Sequence, residues 1–350
     1  MRSLSKHGIQ RKTFYLNMEP SSSESRDRMA MDLIGIATTG GDAPGMNAAI
    51  RAAVRNAVSK KLRIMGFQRG YTGIMANEFM PLDERKVGGI IHEGGTFLKT
   101  SRAEEIRTEE GISRAAKVLK KNNVDGLIVI GGDGSFRAAC ALHKASDIPV
   151  IGIPATIDND LAGTDTSIGF DTAVNTALDA LDKIRDTATS HERAFIVEVM
   201  GRNRGFIALE VGIGAGAEII LIPEIEFETE QVCRRLTDNY RKGKKSAIIV
   251  MAEGAGDCME MTETIKERTG FEVRLTKLGH LQRGGRPTAY SRLLACRMGA
   301  ASIDFLLNGE RKTMTGIEGG CIVAIDLEYA TTTYKPIDES QYNLALTLAT

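Results

Sequence analysis

Two glycine-rich turns and a pair of aspartates are the places where this sequence could do chemistry. Thr38-Thr39-Gly40-Gly41-Asp42-Ala43-Pro44-Gly45 sets three glycines around one turn and runs directly into a helical pattern. Ile130-Gly131-Gly132-Asp133-Gly134-Ser135 repeats the order of strand, Gly-Gly-Asp and helix. Glycine lets a backbone approach a phosphate closely, and a helix N-terminus offers free N–H groups and partial positive charge. A tight strand-to-helix turn needing positive φ accounts equally well for the first segment taken alone. An aspartate beside such a turn repels phosphate unless it holds a cation. Mg2+ suits that role, since it takes few carboxylates and shares its other positions with phosphate oxygens and water. For Asp133 the competing reading is simple helix capping. Neither turn is a Walker A loop or a GxGxxG dinucleotide fingerprint.

Thr156-Ile157-Asp158-Asn159-Asp160 adds two carboxylates at i and i+2 after a strand. Two acids so close tend to separate in role, one accepting a proton while the other orients it. A surface Asx turn explains either one singly, but less well a carboxylate cluster in the company of two anion cradles. The basic complement follows in Met200-Gly201-Arg202 and in Leu278-Gly279-His280-Leu281-Gln282-Arg283-Gly284-Gly285. Arginine forks match phosphate oxygens bidentately. Cradles, a metal-type carboxylate, a candidate base and arginines are together the inventory of phosphoryl transfer, where positioning and charge neutralisation dominate.

These groups need a scaffold, and the intervening sequence supplies one. Leu33–Ala37, Leu127–Ile130, Ile148–Ile153, Ala194–Val199, Ile219–Ile222, Ala247–Met251, Val273–Lys277 and Cys321–Ile325 read as short apolar strands. Helical periods fall between most of them, clearest from Met46 to Lys60 and from Asp171 to Thr187. Alternating β and α with strands apolar on both sides predicts parallel sheets covered by helices, the α/β class, and so many strands predict two such layered units. In open parallel sheets ligands bind beyond the strands' carboxyl ends, where the glycine turns and the Asp158 loop lie.

Composition narrows the partners. The 350 residues are 42% apolar and 26% charged, enough for about two domains at roughly 150 residues each. Lys+Arg and Asp+Glu both number 45, so nothing global draws the chain to nucleic acid or to an anionic membrane. No apolar run approaches the length of a membrane span. Five scattered cysteines without a CxxC argue against a disulfide framework or zinc site, and a reduced cytoplasmic location is expected. Residues 1–30, basic then Ser-rich, read as a flexible N-terminal extension, with a transit peptide as the weaker alternative.

Taken in order, GGDAPGMNAAIR (40–51), GGTF (94–97), IGGDGS (130–135), TIDND (156–160), GFDTA (169–173), VEVMGR (197–202), PE (223–224) and LGHLQRGG (278–285) closely resemble the bacterial type of ATP-dependent 6-phosphofructokinase. The similarity spans roughly residues 31–330. It implies two Rossmann-like three-layer αβα domains in the phosphofructokinase fold. The larger, ATP- and Mg-binding domain would take 31–168 plus 281–331, and the smaller, sugar-phosphate domain 169–280 plus 332–350. The implied reaction moves the γ-phosphoryl group of MgATP to the 1-hydroxyl of fructose 6-phosphate. The implied assembly is a homotetramer with shared active sites.

By the same resemblance Asp158 would be the general base, supported by Thr156 and Asp160, with Asp133 on Mg2+. Gly41 and the turn Gly132, Asp133, Gly134 and Ser135 would wrap the ATP phosphates, with Tyr71, Arg102 and Ala103 nearby. Arg102 and Arg202 would offset charge on the transferring group. Thr156, Ile157, Met200, Gly201, Glu253, His280 and Arg283 would hold the sugar phosphate, and Arg193 and Arg274 would reach its 6-phosphate from a neighbouring subunit. An ADP or phosphoenolpyruvate effector would use Arg51, Arg55, Arg185, Glu218, Lys242 and Lys244, although Glu84 and Ser246 replace an arginine and a histidine of some members. Diphosphate-dependent relatives carry Asp and Lys where this chain has Gly134 and Ala155, which favours ATP. A diphosphate-dependent or mixed-donor enzyme is the alternative, since Gly is commoner than Ala at the second place.

Overall fold

Runs of Ile, Val and Leu with no polar face can only be buried from both sides, and the chain uses them to build one mostly parallel sheet and one wholly parallel sheet. The structure, a computed structural model, describes Lys12–Thr13 and residues 31–349. Apart from that two-residue strand, the extension expected at 1–30 lies outside the described residues. The strands in chain order are β1 (Lys12–Thr13), β2 (Leu33–Thr38), β3 (Arg63–Phe67), β4 (Phe79–Leu82), β5 (Gly126–Gly131), β6 (Val150–Thr156) and β7 (Ile168–Gly169). They continue with β8 (Ala194–Val199), β9 (Ile219–Leu221), β10 (Ala247–Ala252), β11 (Val273–Lys277), β12 (Lys312–Glu318) and β13 (Cys321–Asp326).

The chain divides into two units. The first holds the stretch ending at Thr156, then Leu161–Gly169 and Gly285–Lys335; the second holds Ile157–Asp160, Phe170–Gly284 and the stretch from Pro336 onward. The tetrapeptide Ile157–Asp160 therefore falls in the second unit, whereas the sequence placed it in the first. The other borders fall at 169/170, 284/285 and 335/336 rather than at 168/169, 280/281 and 331/332.

In the first unit the sheet runs β1-β13-β12-β6-β5-β2-β3-β4, with β7 beside β6. From β12 to β3 the pairings are parallel, and β13 and β4 turn antiparallel toward the edges. Leu127 and Val129 of β5 face Ala115 and Leu119 of helix Glu109–Lys121 and Phe136, Ala139 and Leu142 of helix Asp133–Ser146. By the two-residue period of a strand, Ile128 and Ile130 point the other way. Two helices, Met46–Ser59 and Ala289–Leu307, pack against each other, the second also against β6. Phe136 is fully buried, and cutting it to alanine would cost about 3–5 kcal/mol.

The second unit's sheet is β11-β8-β10-β9, parallel throughout. Helices Thr229–Arg241 and Cys258–Thr269 cover one face through Val232, Leu236, Met261 and Ile265. Helices Phe170–His191 and Phe206–Gly214 pack together and against β8 and β10. Each unit is thus an α/β layering of a mostly parallel sheet. Among the described residues no helix is long and apolar enough to cross a membrane.

Candidate active site

In the first unit β2 and β5 are parallel neighbours, with Thr38 opposite Ile130. Their carboxyl ends therefore bring the two glycine turns side by side. The Thr39 N–H donates to the Ile130 carbonyl at 2.9 Å, and a Cβ on Gly40 would stand 3.0 Å from Ser135 Oγ. The turns differ in what their glycines do. Gly40 (φ 80°) and Gly45 (φ 109°) take left-handed backbone, so the turn reading holds at those two places. None of Gly131, Gly132 and Gly134 has positive φ. A Cβ on Gly131 would meet both Ser135 Oγ and the Thr39 carbonyl at 2.6 Å, whereas one on Gly134 would meet nothing within 4 Å. Nothing in the protein's own packing demands glycine at 134; it leaves open space over a helix N-terminus.

Asp133 does not cap that helix. Gly132 is the N-cap and no side chain caps it. Asp133 sits in the first turn and accepts from Arg137 Nε at 3.0 Å through both carboxylate oxygens. Its side chain stays one-third exposed. Among the described residues no three His, Cys, Asp or Glu side chains gather as a metal cage. One open carboxylate beside an anion-binding turn fits Mg2+ that arrives sharing its positions with phosphate. Tyr71 is buried, and its hydroxyl donates to the Ser135 carbonyl at 2.7 Å. That bond braces the turn from behind, and burial pushes the phenol's pKa well up. Ala103 packs on the core beneath, and Arg102 is exposed. Thr156 ends β6, its carbonyl accepting from Ser167 Oγ at 2.6 Å.

In the second unit β11, β8 and β10 are parallel neighbours, so their carboxyl ends gather residues far apart in sequence. Met200, Gly201 and Arg202 leave β8, Glu253 leaves β10, and His280 and Arg283 follow β11 in the short turn Gly279–Arg283. Glu253 Oε1 accepts the N–H groups of Gly201 (3.2 Å) and Arg202 (2.6 Å). Asp158 is 4% exposed, with Arg202 Nε 3.2 Å from its Oδ2. Burial pushes the Asp158 carboxyl up from 3.8 to about 6. The Asp160 charge adds to the rise, Arg202 and Arg283 oppose it, and Glu253 supports it. Such a carboxyl can exchange a proton near neutrality, which is what a general base needs. Ile157 is buried as core, leaving only its backbone for a ligand.

Arg193 and Arg274 stand elsewhere. Both lie at the amino ends of their strands, just before or within the start of β8 and β11, and both pair with Glu272. A six-residue strand is roughly 20 Å long, so within one chain they occupy the opposite edge of the sheet from Met200 and His280. Hydrogen bonding to Arg193 holds the Glu272 carboxyl below its usual range. Of the six effector candidates the structure gathers three. Buried Glu218 lies 3.0 Å from Lys244 Nζ and 3.7 Å from Arg185 Nη1, and accepts from the Ile248 N–H at 2.6 Å. Lys242 follows helix Thr229–Arg241, and Arg51 and Arg55 lie on helix Met46–Ser59 of the other unit.

Sequence reasoning assigned no role to Gln282, Arg204 or Glu224. Gln282 is fully buried; its Oε1 accepts the Met200 N–H at 3.4 Å and its Nε2 donates to the Gly279 carbonyl at 3.2 Å. Arg204 and Glu224 form a buried pair at 3.2 Å. A charge set among apolar residues, as in Ile222-Pro223-Glu224, was the available signal.

The family model described as Phosphofructokinase matches residues 33–306. A protein named ATP-dependent 6-phosphofructokinase from Clostridium botulinum is 49% identical over 319 residues, 91% of this chain and 100% of that one. One of the same name from Thermotoga neapolitana is 50% identical over 315 residues, covering 90% and 99%. Among solved structures, phosphofructokinase from Saccharomyces cerevisiae superposes with a TM-score of 0.83 at 31% identity, over 91% of this chain and 48% of that one. This chain thus spans about half the length of the yeast protein. A pyrophosphate-dependent phosphofructokinase from Marinobacter aquaeolei shares the fold alone, with a TM-score of 0.79 at 23% identity over 89% and 86%. With the match running through both units and both sets of strand ends, the chain belongs to the phosphofructokinase family.

Proposed function

We propose that this protein is an ATP-dependent 6-phosphofructokinase, moving the γ-phosphoryl group of MgATP to the 1-hydroxyl of fructose 6-phosphate to give fructose 1,6-bisphosphate and ADP. The observation that carries the reading is Asp158, a buried carboxylate tuned to about 6 and paired with Arg202. Asp158 takes the proton from the 1-hydroxyl as its oxygen attacks phosphorus, and Asp160 keeps that carboxylate's proton affinity high. Arg202 and exposed Arg102 offset negative charge on the transferring group. The backbone of the Gly132–Ser135 turn cradles the ATP phosphates, with Gly41 contributing from the first turn. Asp133 is the residue to hold Mg2+, which when bound neutralises phosphate charge. Met200, Gly201, Glu253, His280 and Arg283 hold the sugar.

The diphosphate-dependent alternative is set aside. Relatives at 49–50% identity over nine-tenths of the chain are named ATP-dependent, whereas the pyrophosphate-dependent structure matches at 23%. The open space at Gly134 supports the larger donor. The position of Arg193 and Arg274, at the other end of the sheet from the Asp158 group, supports their serving a neighbouring subunit's 6-phosphate in a homotetramer with shared sites. The Arg185–Glu218–Lys244 cluster, with Lys242 and with Arg51 and Arg55 of another subunit, is the place for an ADP or phosphoenolpyruvate effector. The enzyme works in the cytoplasm. A donor-by-acceptor matrix on purified protein tests the reading: turnover with MgATP and fructose 6-phosphate is expected, with Mg-diphosphate giving little. Turnover with diphosphate equal to that with ATP would overturn the donor assignment.

A further inference from the structure

The loop Met200–Gly205, which leaves β8 and carries Arg202, is tied at its start by a carboxylate from beyond the neighbouring β10 and at its end by one from beyond β9, the next strand over. At its start Glu253 accepts the N–H groups of Gly201 and Arg202. At its end Glu224 accepts the Gly205 N–H through both oxygens, at 3.1 and 3.0 Å, and lies 3.2 Å from Arg204 Nε. The Arg204 and Glu224 side chains are only 11% and 6% exposed, and the Arg204 guanidinium lies 5.0 Å over the Phe206 ring. Between the ties the loop is wound tightly, the Arg204 N–H donating to the Gly201 carbonyl at 3.0 Å.

That winding is strained at the residue that matters. Arg202 has φ 54° and Gly201 φ 138°. A Cβ on Gly254 would lie 2.1 Å from the Arg202 carbonyl oxygen, so the backbone beyond β10 presses directly on the loop. A non-glycine residue in left-handed backbone persists only where its surroundings over-determine it. Two charged ends and a close backbone contact do so here.

We infer that the buried Arg204–Glu224 pair is a positioning device for phosphoryl transfer, locking the Met200–Gly205 loop in the one conformation that keeps the Arg202 guanidinium against Asp158. The inference rests on the reading of Asp158 as base and Arg202 as its partner. Released from Glu224, Gly205 loses its acceptor and the strained turn relaxes toward ordinary backbone. Arg202 then swings away from Asp158. The charged groups left facing Asp158 are Asp160, Glu253 and Arg283, two carboxylates against one arginine. Its proton affinity rises and its partner on the transferring group is lost.

The test compares Arg204→Met, Arg204→Lys and the double variant Arg204→Met/Glu224→Leu, which removes the acceptor of the Gly205 N–H, with Arg202→Ala, all in the full chain. Replacing Arg204 alone strands the buried Glu224 charge and can unfold the protein. The double variant buries no unpaired charge and keeps the measurement alive. Misplacing Arg202 by an ångström is expected to lower kcat about tenfold or more while KM for ATP stays within about twofold. The acid limb of kcat/KM for fructose 6-phosphate is expected to move to higher pH, and Arg204→Lys to recover most of both losses. Variants that melt lower but keep the parental kcat and acid limb would make the pair merely structural and overturn the inference, as would a double variant of full activity. An Arg202→Ala protein with parental kcat and acid limb would instead sink the underlying base-and-partner reading.

Discussion

The turn Gly131–Ser135 in the first unit and the loops around Asp158 in the second both follow parallel strands, yet they are built on opposite terms. The turn offers backbone: three glycines without positive φ, open space at 134, and one part-exposed carboxylate already paired with Arg137. The loops offer charge: Asp158 and the Arg204–Glu224 pair are buried, and Glu253 holds two amides. An anion that arrives with its own counter-ion needs only N–H groups and room. A proton acceptor needs its pKa set, and only buried charges that cannot relax will set it. The first region should therefore be sensitive to bulk, and the second to charge.

The sharpest way to break that contrast is Asp158→Asn, nearly unchanged in shape. Loss of a positioned base is expected to lower kcat at least about 100-fold with KM for fructose 6-phosphate roughly kept. Near-normal turnover in steady-state assays would remove the base assignment. Gly134→Asp probes the other side by filling the open space with a like charge. KM for ATP should rise about 10- to 100-fold, with KM for fructose 6-phosphate unmoved. Equal rises in both would mean that the turn does not face the nucleotide. Arg274→Ala, at the edge of the second unit's sheet opposite Met200 and His280, should raise KM for fructose 6-phosphate about tenfold and leave that for ATP alone, as loss of a charged hydrogen bond predicts. Parallel changes in the two constants would withdraw its 6-phosphate role.

The smallest effect sharpens the comparison through stability. With Asp158 raised from 3.8 to about 6, the folded chain binds that proton more tightly than the unfolded one. The stability so gained is fully present below about pH 4 and is lost as pH rises through about 6. Asparagine, neutral throughout, avoids that loss. Asp158→Asn should melt higher than the parent at pH 7–8, by the equivalent of about 1–2 kcal/mol, and alike at pH 4. A variant melting lower at pH 8 would show that the carboxylate is not under electrostatic strain.

The strands that lead to the two regions were legible because each is a largely apolar run, broken in β8 only by Glu198, that leads into Gly-Gly-Asp, Thr-Ile-Asp or Met-Gly-Arg. β3, β4 and β12 were not. Arg63–Phe67 opens on a charge and carries Gly66, Phe79–Leu82 contains a proline, and Lys312–Glu318 mixes threonines with its apolar residues. Their pairing partners, rather than their own pattern, make them strands. In the site, the carboxylates and arginines were visible by type and spacing. That Arg193 and Arg274 share Glu272 at the edge of the sheet opposite Arg202 follows from strand direction, whereas the meeting of Arg202 with Asp158, which follows a strand of the other sheet, does not. The Arg204–Glu224 tie depends on two strand ends meeting, and no local spacing announces it.

The salt bridges of Glu272 have a consequence for how substrate would dock. On the proposed assignment, the protein itself furnishes a surrogate anion for both guanidinium groups that await the sugar's phosphate. An incoming ligand would not meet naked cations. It would evict a resident carboxylate, so selectivity would rest on a dianion outcompeting a monoanion, and any group too weakly charged to win that exchange would be turned away.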